Sequence, residues 1–374
     1  MNRAFSPSEV IPSGSSVQDP SGDIRRAYAR RTIRASLICL SGVLLLALLS
    51  VFAVSLGAND ISLLQAIQIL LGPVLPANLF AEVSVLQEKV VMQLRLPRIT
   101  MALVGGAGLS IAGVMMQGIT RNPLVSPFTV GLSPAAAFGA ALAILLGALQ
   151  MPELGTYMMV GGAFASSMLC AGIVLGIAGL SGISATTIIL AGIGLTYLFS
   201  AFTATLQFVA TQEQLAAIVH WTFGSLNAAS WDEVGFSAVM LAIAAPIFWR
   251  MAWALNAMAA GEETAASLGY NLKKVRLVTA LLSVLITACI IAFTGVIGFI
   301  GLVSPHIARM MIGNDHRWLV PFSMIVGAFL LLVADTIGRS LFSPAVIPVG
   351  IVVAYVGVPL FVHLILRQRR RAMQ

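Results

Sequence analysis

Charge is what this chain has least of. Charged residues make up 9% of its 374 positions, against about a quarter of an ordinary soluble domain. That scarcity excludes a soluble globular fold, whose surface needs charge to stay hydrated. Lysine occurs only as Lys89, Lys273 and Lys274, and none follows a glycine. A phosphate-cradling G-x-x-x-x-G-K-[ST] loop is therefore missing, and any ATP energy has to come from another chain. Cys39, Cys170 and Cys289 stand apart within apolar runs, which excludes a disulfide framework and metal-ligand spacing. His220, His306, His316 and His363 are scattered, with no H-E-x-x-H pair and no Ser/His/Asp set that spacing assembles. No catalytic centre, cofactor or metal site is expected.

Apolar sequence is abundant. Hydrophobic residues make up 59% of the chain, mean hydropathy is +0.97, and runs of about 20 apolar residues recur from end to end, the signal of membrane-spanning helices. The runs have no alternating polar face, which excludes a β-barrel. The expected fold is all-α and polytopic, with ten spans near 35–57, 99–117, 128–149, 156–177, 186–210, 235–255, 277–297, 298–312, 318–337 and 345–366. Residues 277–312 are too many for one comfortable span. Gly295, Gly298, Gly301 and Pro305 interrupt them, so they divide into one full span and one short, broken helix of the kind tolerated inside protein or beside a cavity.

Charge placement orients the chain. The net charge of +7 does not point to nucleic acid, because the basic residues lie mostly in loops and tails. With ten spans and the N-terminus in the cytosol, only Lys89, Arg95, Arg98 and Arg339 of the 21 basic residues fall outside, as the positive-inside rule favours. Both termini are then cytosolic in a cytoplasmic (inner) membrane. Residues 1–34, Ser/Pro/Gly-rich and then basic, read as a disordered cytosolic tail, and 35–367 as the ten-span domain. The apolar run at 35–57 is too long for a signal-peptide core. Residues 368–374 read as a basic cytosolic tail, and both tails suit contact with anionic membrane lipid.

Ionisable groups are almost missing from mid-span positions; Asp335, His306 and Arg309 lie near span ends. That weakens an ion-coupled secondary transporter, which keeps such groups at mid-membrane depth, although Asn, Gln, Ser and Thr can still bind sodium. Thr196, Ser200, Thr203 and Gln207 form a polar stripe at helical spacing, equally suited to lining a pathway or to helix packing. Arg95, Arg98 and Arg339 break the charge rule on the outer side. They suit either a docking site for acidic groups or a role in capping helices and binding lipid phosphate. The polar segment "GEETAASLG" (261–269) reads as a buried acid pair or as a handle for another protein; the orientation places it in the cytosol and favours the handle.

Several motifs occurring in order resemble a known family. "LRLPRITMALVGGAGLSIAGVMMQGITRNPLVSPFTVGLSPAAAFGAAL" (94–142), "GEETAASLG", "GVIGFIGLVSPHIAR" (295–309) and "ADTIGR…IPVGIVVAYVGVPLF" (334–361) resemble the FecCD-type permeases, the membrane subunits of ATP-binding-cassette importers for iron-siderophores, heme and cobalamin. The resemblance implies a type II ABC importer permease fold of ten spans, paired with a second copy or a paralogue, over two ATPase subunits. An external solute-binding protein is implied to dock through Arg95, Arg98 and Arg339. Gly261, Glu262, Glu263, Ala265, Leu268 and Gly269 are implied as the ATPase coupling segment. "GISATT" (182–187) is implied as the cytosolic gate, with Ser184, Ala185 and Thr186 its candidates, and the stripe on the fifth span becomes a candidate pathway lining. An iron-siderophore complex is the expected cargo, with heme or cobalamin as alternatives. Reversal of the three outer arginines to glutamate is expected to impair docking without unfolding the chain.

Overall fold

The computed structural model describes residues 20–57, 61–72, 83–180, 185–341 and 345–372. Fourteen α-helices are described: α1 (Pro20–Ser55), α2 (Leu63–Leu71), α3 (Val85–Val90), α4 (Leu96–Thr120), α5 (Leu132–Leu145), α6 (Pro152–Leu180), α7 (Ala185–Val209), α8 (Gln212–Thr222), α9 (Trp231–Ala260), α10 (Glu262–Ser267), α11 (Leu272–Thr294), α12 (Ile300–Ile312), α13 (His316–Ser340) and α14 (Val349–Ala372). Seven are long and apolar enough to cross a membrane, and three shorter apolar helices, Leu132–Leu145, Ile300–Ile312 and Val349–Pro359, complete the ten expected positions.

The centre of the bundle is α4, which packs against α13, α11, α9 and α12. Its glycines explain why. A Cβ on Gly106 would lie 2.4 Å from the carbonyl oxygen of Gly327 in α13, and one on Gly113 only 1.8 Å from that of Gly301 in α12. Backbones touch directly at these crossings, as small residues permit in membrane helices. Between them, the Ser110 hydroxyl lies 2.7 Å from that of Ser304 and donates to the Ser323 carbonyl at 2.5 Å. The Ser110 and Ser304 hydroxyls are therefore satisfied within the crossing.

The break expected in 277–312 falls at 295–299, where α11 ends and α12 has not begun. Gly295 has φ +67° and Phe299 φ +61°, and a Cβ on Gly295 would meet the Trp221 carbonyl oxygen at 2.3 Å. Pro305, expected to add to the interruption, lies inside α12 without ending it. The stretch 20–34, expected as part of a disordered tail, instead begins α1. From Asp23 to Arg34 it holds no glycine or proline, and its arginines and alanines favour helix. Residues 1–19 of that tail, and 373–374 of the basic C-terminal tail, lie outside the described residues.

At one end of the bundle the connections carry α2, α3 and α8. Each starts at a reciprocal capping box, Ser62 with Gln65, Ser84 with Gln87 and Thr211 with Gln214, which satisfies orphan backbone donors at the helix start. The other end carries α10.

Candidate functional site

Two charged clusters lie at opposite ends of α4. At its N-terminal end, Arg95, Arg98 and Arg339 come together, although Arg339 is more than 240 positions away in sequence. Asp335, fully buried, accepts two bonds from Arg98 Nε at 2.9 and 3.0 Å and a third contact from Nη2 at 2.8 Å. Arg98 Nη1 donates to the Asn227 side-chain oxygen. Arg339 Nε lies 3.8 Å from the same carboxylate. Its Nη1 donates to the Leu56 carbonyl at 2.7 Å and its Nη2 to that of Ala53. Arg95 Nη1 donates to the carbonyls of Val54 at 2.6 Å and Ser55 at 3.3 Å. Arg95 and Arg339 therefore cap the C-terminus of α1, where four carbonyls lack helical partners and the helix dipole is negative. They are 7% and 8% exposed, so neither presents its charge outward. Arg98 keeps an open edge, its side chain 15% exposed.

Sequence reasoning paired none of these arginines with Asp335 or Asn227. Asp335 is one helical turn before Arg339, a spacing that brings side chains together. That local signal links the two; nothing local links either to Arg98.

At the other end of α4, Glu262 Oε1 accepts from Arg121 Nη2 at 2.5 Å and from Arg276 Nη2 at 2.8 Å. This one carboxylate ties the start of α10 to the C-cap of α4 and the N-terminal part of α11. Glu263 points away and is exposed, so the two glutamates do not form a buried acid pair. Gly261 (φ +135°) turns the chain out of α9. A Schellman motif ends α10: Tyr270 N–H donates to the Ala265 carbonyl at 3.1 Å and Gly269 N–H to that of Ala266 at 2.9 Å. Gly269 takes the left-handed conformation the motif requires, φ +86°. Of the expected coupling residues, Ala265 is fully buried and seats the helix on the bundle instead of facing a partner. Glu263, Leu268 and Gly269 are exposed, and Leu268, at 64%, is an apolar side chain held out on a polar turn.

Nearby, Asp315 caps α13 through the Arg317 amide at 3.1 Å and accepts from Asn256 of α9 at 2.7 Å. Burial alone would raise its carboxyl pKa, but the hydrogen bonds from Arg317 and Asn256 outweigh that and hold it at about 2.

Among the gate candidates, Ser184 lies outside the described residues, Ala185 opens α7, and Thr186 is exposed in its first turn. The four stripe residues on α7 share one side of the helix but differ in burial. Thr203 is buried and donates to the Phe199 carbonyl at 2.9 Å, and Thr196 donates to that of Gly192, also at 2.9 Å. Bonding to the carbonyl four residues back is how a threonine satisfies itself in a helix. Gln207 is half-buried, and Ser200 alone of the four is exposed.

Comparison with known proteins bears on the fold and the family. Residues 44–367 match the FecCD transport family. The chain is 38% identical to an ABC transporter permease of Methanocaldococcus jannaschii, over 93% of this chain and 99% of that protein. It is 36% identical to the molybdate import permease MolB of Haemophilus influenzae (88% and 95% covered) and 38% identical to the hemin transport permease HmuU of Yersinia pestis (75% and 84%). Among solved structures, an inward-facing metal-chelate type ABC transporter superposes with a TM-score of 0.77 at 33% identity, covering 89% of this chain and 99% of that one. The ten-span all-helical bundle, the order of its motifs and these matches together show that the chain belongs to the FecCD transport family and is the multi-pass membrane permease of an ABC importer.

Proposed function

We propose that the chain moves a ferric siderophore across the cytoplasmic membrane as one half of a permease pair. The α10 end faces the cytosol and an ATPase subunit, and the α4 N-terminal end faces an external solute-binding protein. The observation that carries the coupling role is the α10 surface. An exposed leucine stands among small residues, on a turn fixed by a Schellman motif and clamped by Glu262 to Arg121 and Arg276. Small residues allow close approach, and a rigid seat transmits displacement where a loose loop would absorb it. Replacing Leu268 with Asp is expected to abolish co-purification of the ATPase subunit while the chain elutes as wild type. Undiminished co-purification would contradict the assignment.

At the opposite end, the reading that fits the burial is a division of labour. Arg95 and Arg339 hold α1, and acidic groups of the binding protein meet the open edge of Arg98. Ser184, Ala185 and Thr186 remain the proposed gate. Ser200 is the stripe residue best placed to meet cargo, with Thr196, Thr203 and Gln207 serving packing. For the cargo, the support is that names of similar permeases recur on ferric chelates, Fe(3+)-citrate and Fe(3+)-hydroxamate among them. Hemin, cobalamin and molybdate also occur among them. Competition of these ligands against radio-iron siderophore uptake separates them.

A further inference from the structure

On α9, near the α10 end, lies a cleft of about 500 Å³ lined by Pro246, Trp249, Arg250, Trp253 and Tyr270. The transport reading uses none of these side chains. Arg250 is exposed and has no carboxylate partner among the described residues. Trp249 and Trp253 are 59% and 56% exposed, yet both are fixed. Trp249 Nε1 donates to the Arg317 carbonyl at 3.2 Å, and the Arg317 guanidinium lies 4.5 Å over the Trp253 ring. Arg317 itself is neutralised by Asp315, which leaves Arg250 as the cleft's unneutralised cation.

Depth identifies what meets this cation. Trp231, at the start of α9, and Trp249 lie ~27 Å apart along the helix at 1.5 Å per residue, close to the ~30 Å hydrocarbon thickness. Tryptophans at such a separation mark the two membrane–water interfaces. Arg250 then lies at headgroup level, in a walled cleft of fixed aromatic planes instead of open water. Tyr270 closes the cleft from the residue whose amide completes the Schellman end of α10.

We propose that this cleft binds the phosphate of an anionic phospholipid from the leaflet at the α10 end. Arg250 neutralises the phosphate, Trp249 flanks the glycerol, Trp253, about one turn further from the hydrocarbon, borders the headgroup, and Tyr270 brings the lipid into contact with the coupling segment. The inference depends on the chain spanning a bilayer and is independent of the cargo.

The test is native mass spectrometry of the purified chain titrated with phosphatidylglycerol or phosphatidylcholine. The wild type is expected to retain phosphatidylglycerol about fivefold more strongly than Arg250→Gln, the ratio equivalent to the ~1 kcal/mol of one arginine near an anionic surface. Phosphatidylcholine, whose choline offsets the charge of its phosphate, should lose less on the substitution than phosphatidylglycerol does. Because Arg250 is exposed and without a carboxylate partner, the substitution is expected to leave the elution profile unchanged. The wild type's preference between the two lipids is a readout needing no variant. Equal retention of the two lipids by the wild type, or of phosphatidylglycerol by both proteins, would overturn the proposal. Displacement of the lipid by excess inorganic phosphate would overturn it too, by showing a site for the free anion.

Discussion

Asp335 shows how a single residue changes the meaning of its neighbours. From sequence, Arg95, Arg98 and Arg339 are outward charges whose reversal should spare the fold. In the structure Arg98 meets a fully buried carboxylate, so a glutamate there would place a second anion against the first in a site with little water. Reversal is therefore expected to unfold the chain, and a gentler experiment is needed to isolate docking. Removing one partner of a buried pair costs about 3–5 kcal/mol, whereas replacing both with apolar residues of similar size is often neutral. Arg98→Met alone and Asp335→Leu alone should each destabilise by roughly that amount, and the double variant should recover most of it. The recovered double variant should still fail to bind the solute-binding protein, because Arg98 is gone. Wild-type association of a folded double variant would show that the cluster is purely structural. The pairing was illegible in sequence because 237 positions separate Arg98 from Asp335; only the packing of α4 on α13 brings them together.

At the scale of elements, α10 is six residues long, too short to hold itself as an isolated helix. Its geometry depends on its ends. Gly269 has open space where a Cβ would go, so its requirement is conformational and not steric. Gly269→Ala should cost about 1–2 kcal/mol for the left-handed backbone, which corresponds to roughly tenfold faster amide exchange over 265–270. Unchanged exchange would show that α10 is held by its partners alone. The spans were legible because low charge and apolar length are local properties. So was the break in 277–312, since its cause, a glycine in the chain, is local too. The helices α2, α3 and α8 were not expected, although their S/T-x-x-Q capping boxes stand in the sequence as Ser62–Gln65, Ser84–Gln87 and Thr211–Gln214. The stripe on α7 left two readings open, because spacings of four, three and four place residues on one side of a helix without saying which of them meet a neighbour. The contacts of α7 with α5 and α6 decide that, and they turn Thr203 inward.

Across the whole molecule, α4 joins the two charged clusters. It runs from Arg98, tied to Asp335 and so to α13, to Arg121, tied through Glu262 to α10 and α11, ~35 Å away at 1.5 Å per residue. Its backbone-to-backbone crossings with α12 and α13 leave it little freedom to flex. Displacement imposed on α10 would therefore reach the far end through a stiff, buried helix, which suits the permease of an ABC importer, driven by a partner's ATP cycle. The most direct test is uptake of a radio-iron siderophore by proteoliposomes holding this permease with its ATPase and binding protein. The account predicts accumulation that requires both partners and ATP and that persists after ionophores collapse every ion gradient. Accumulation by the permease alone, or its loss when the gradients are collapsed, would contradict it.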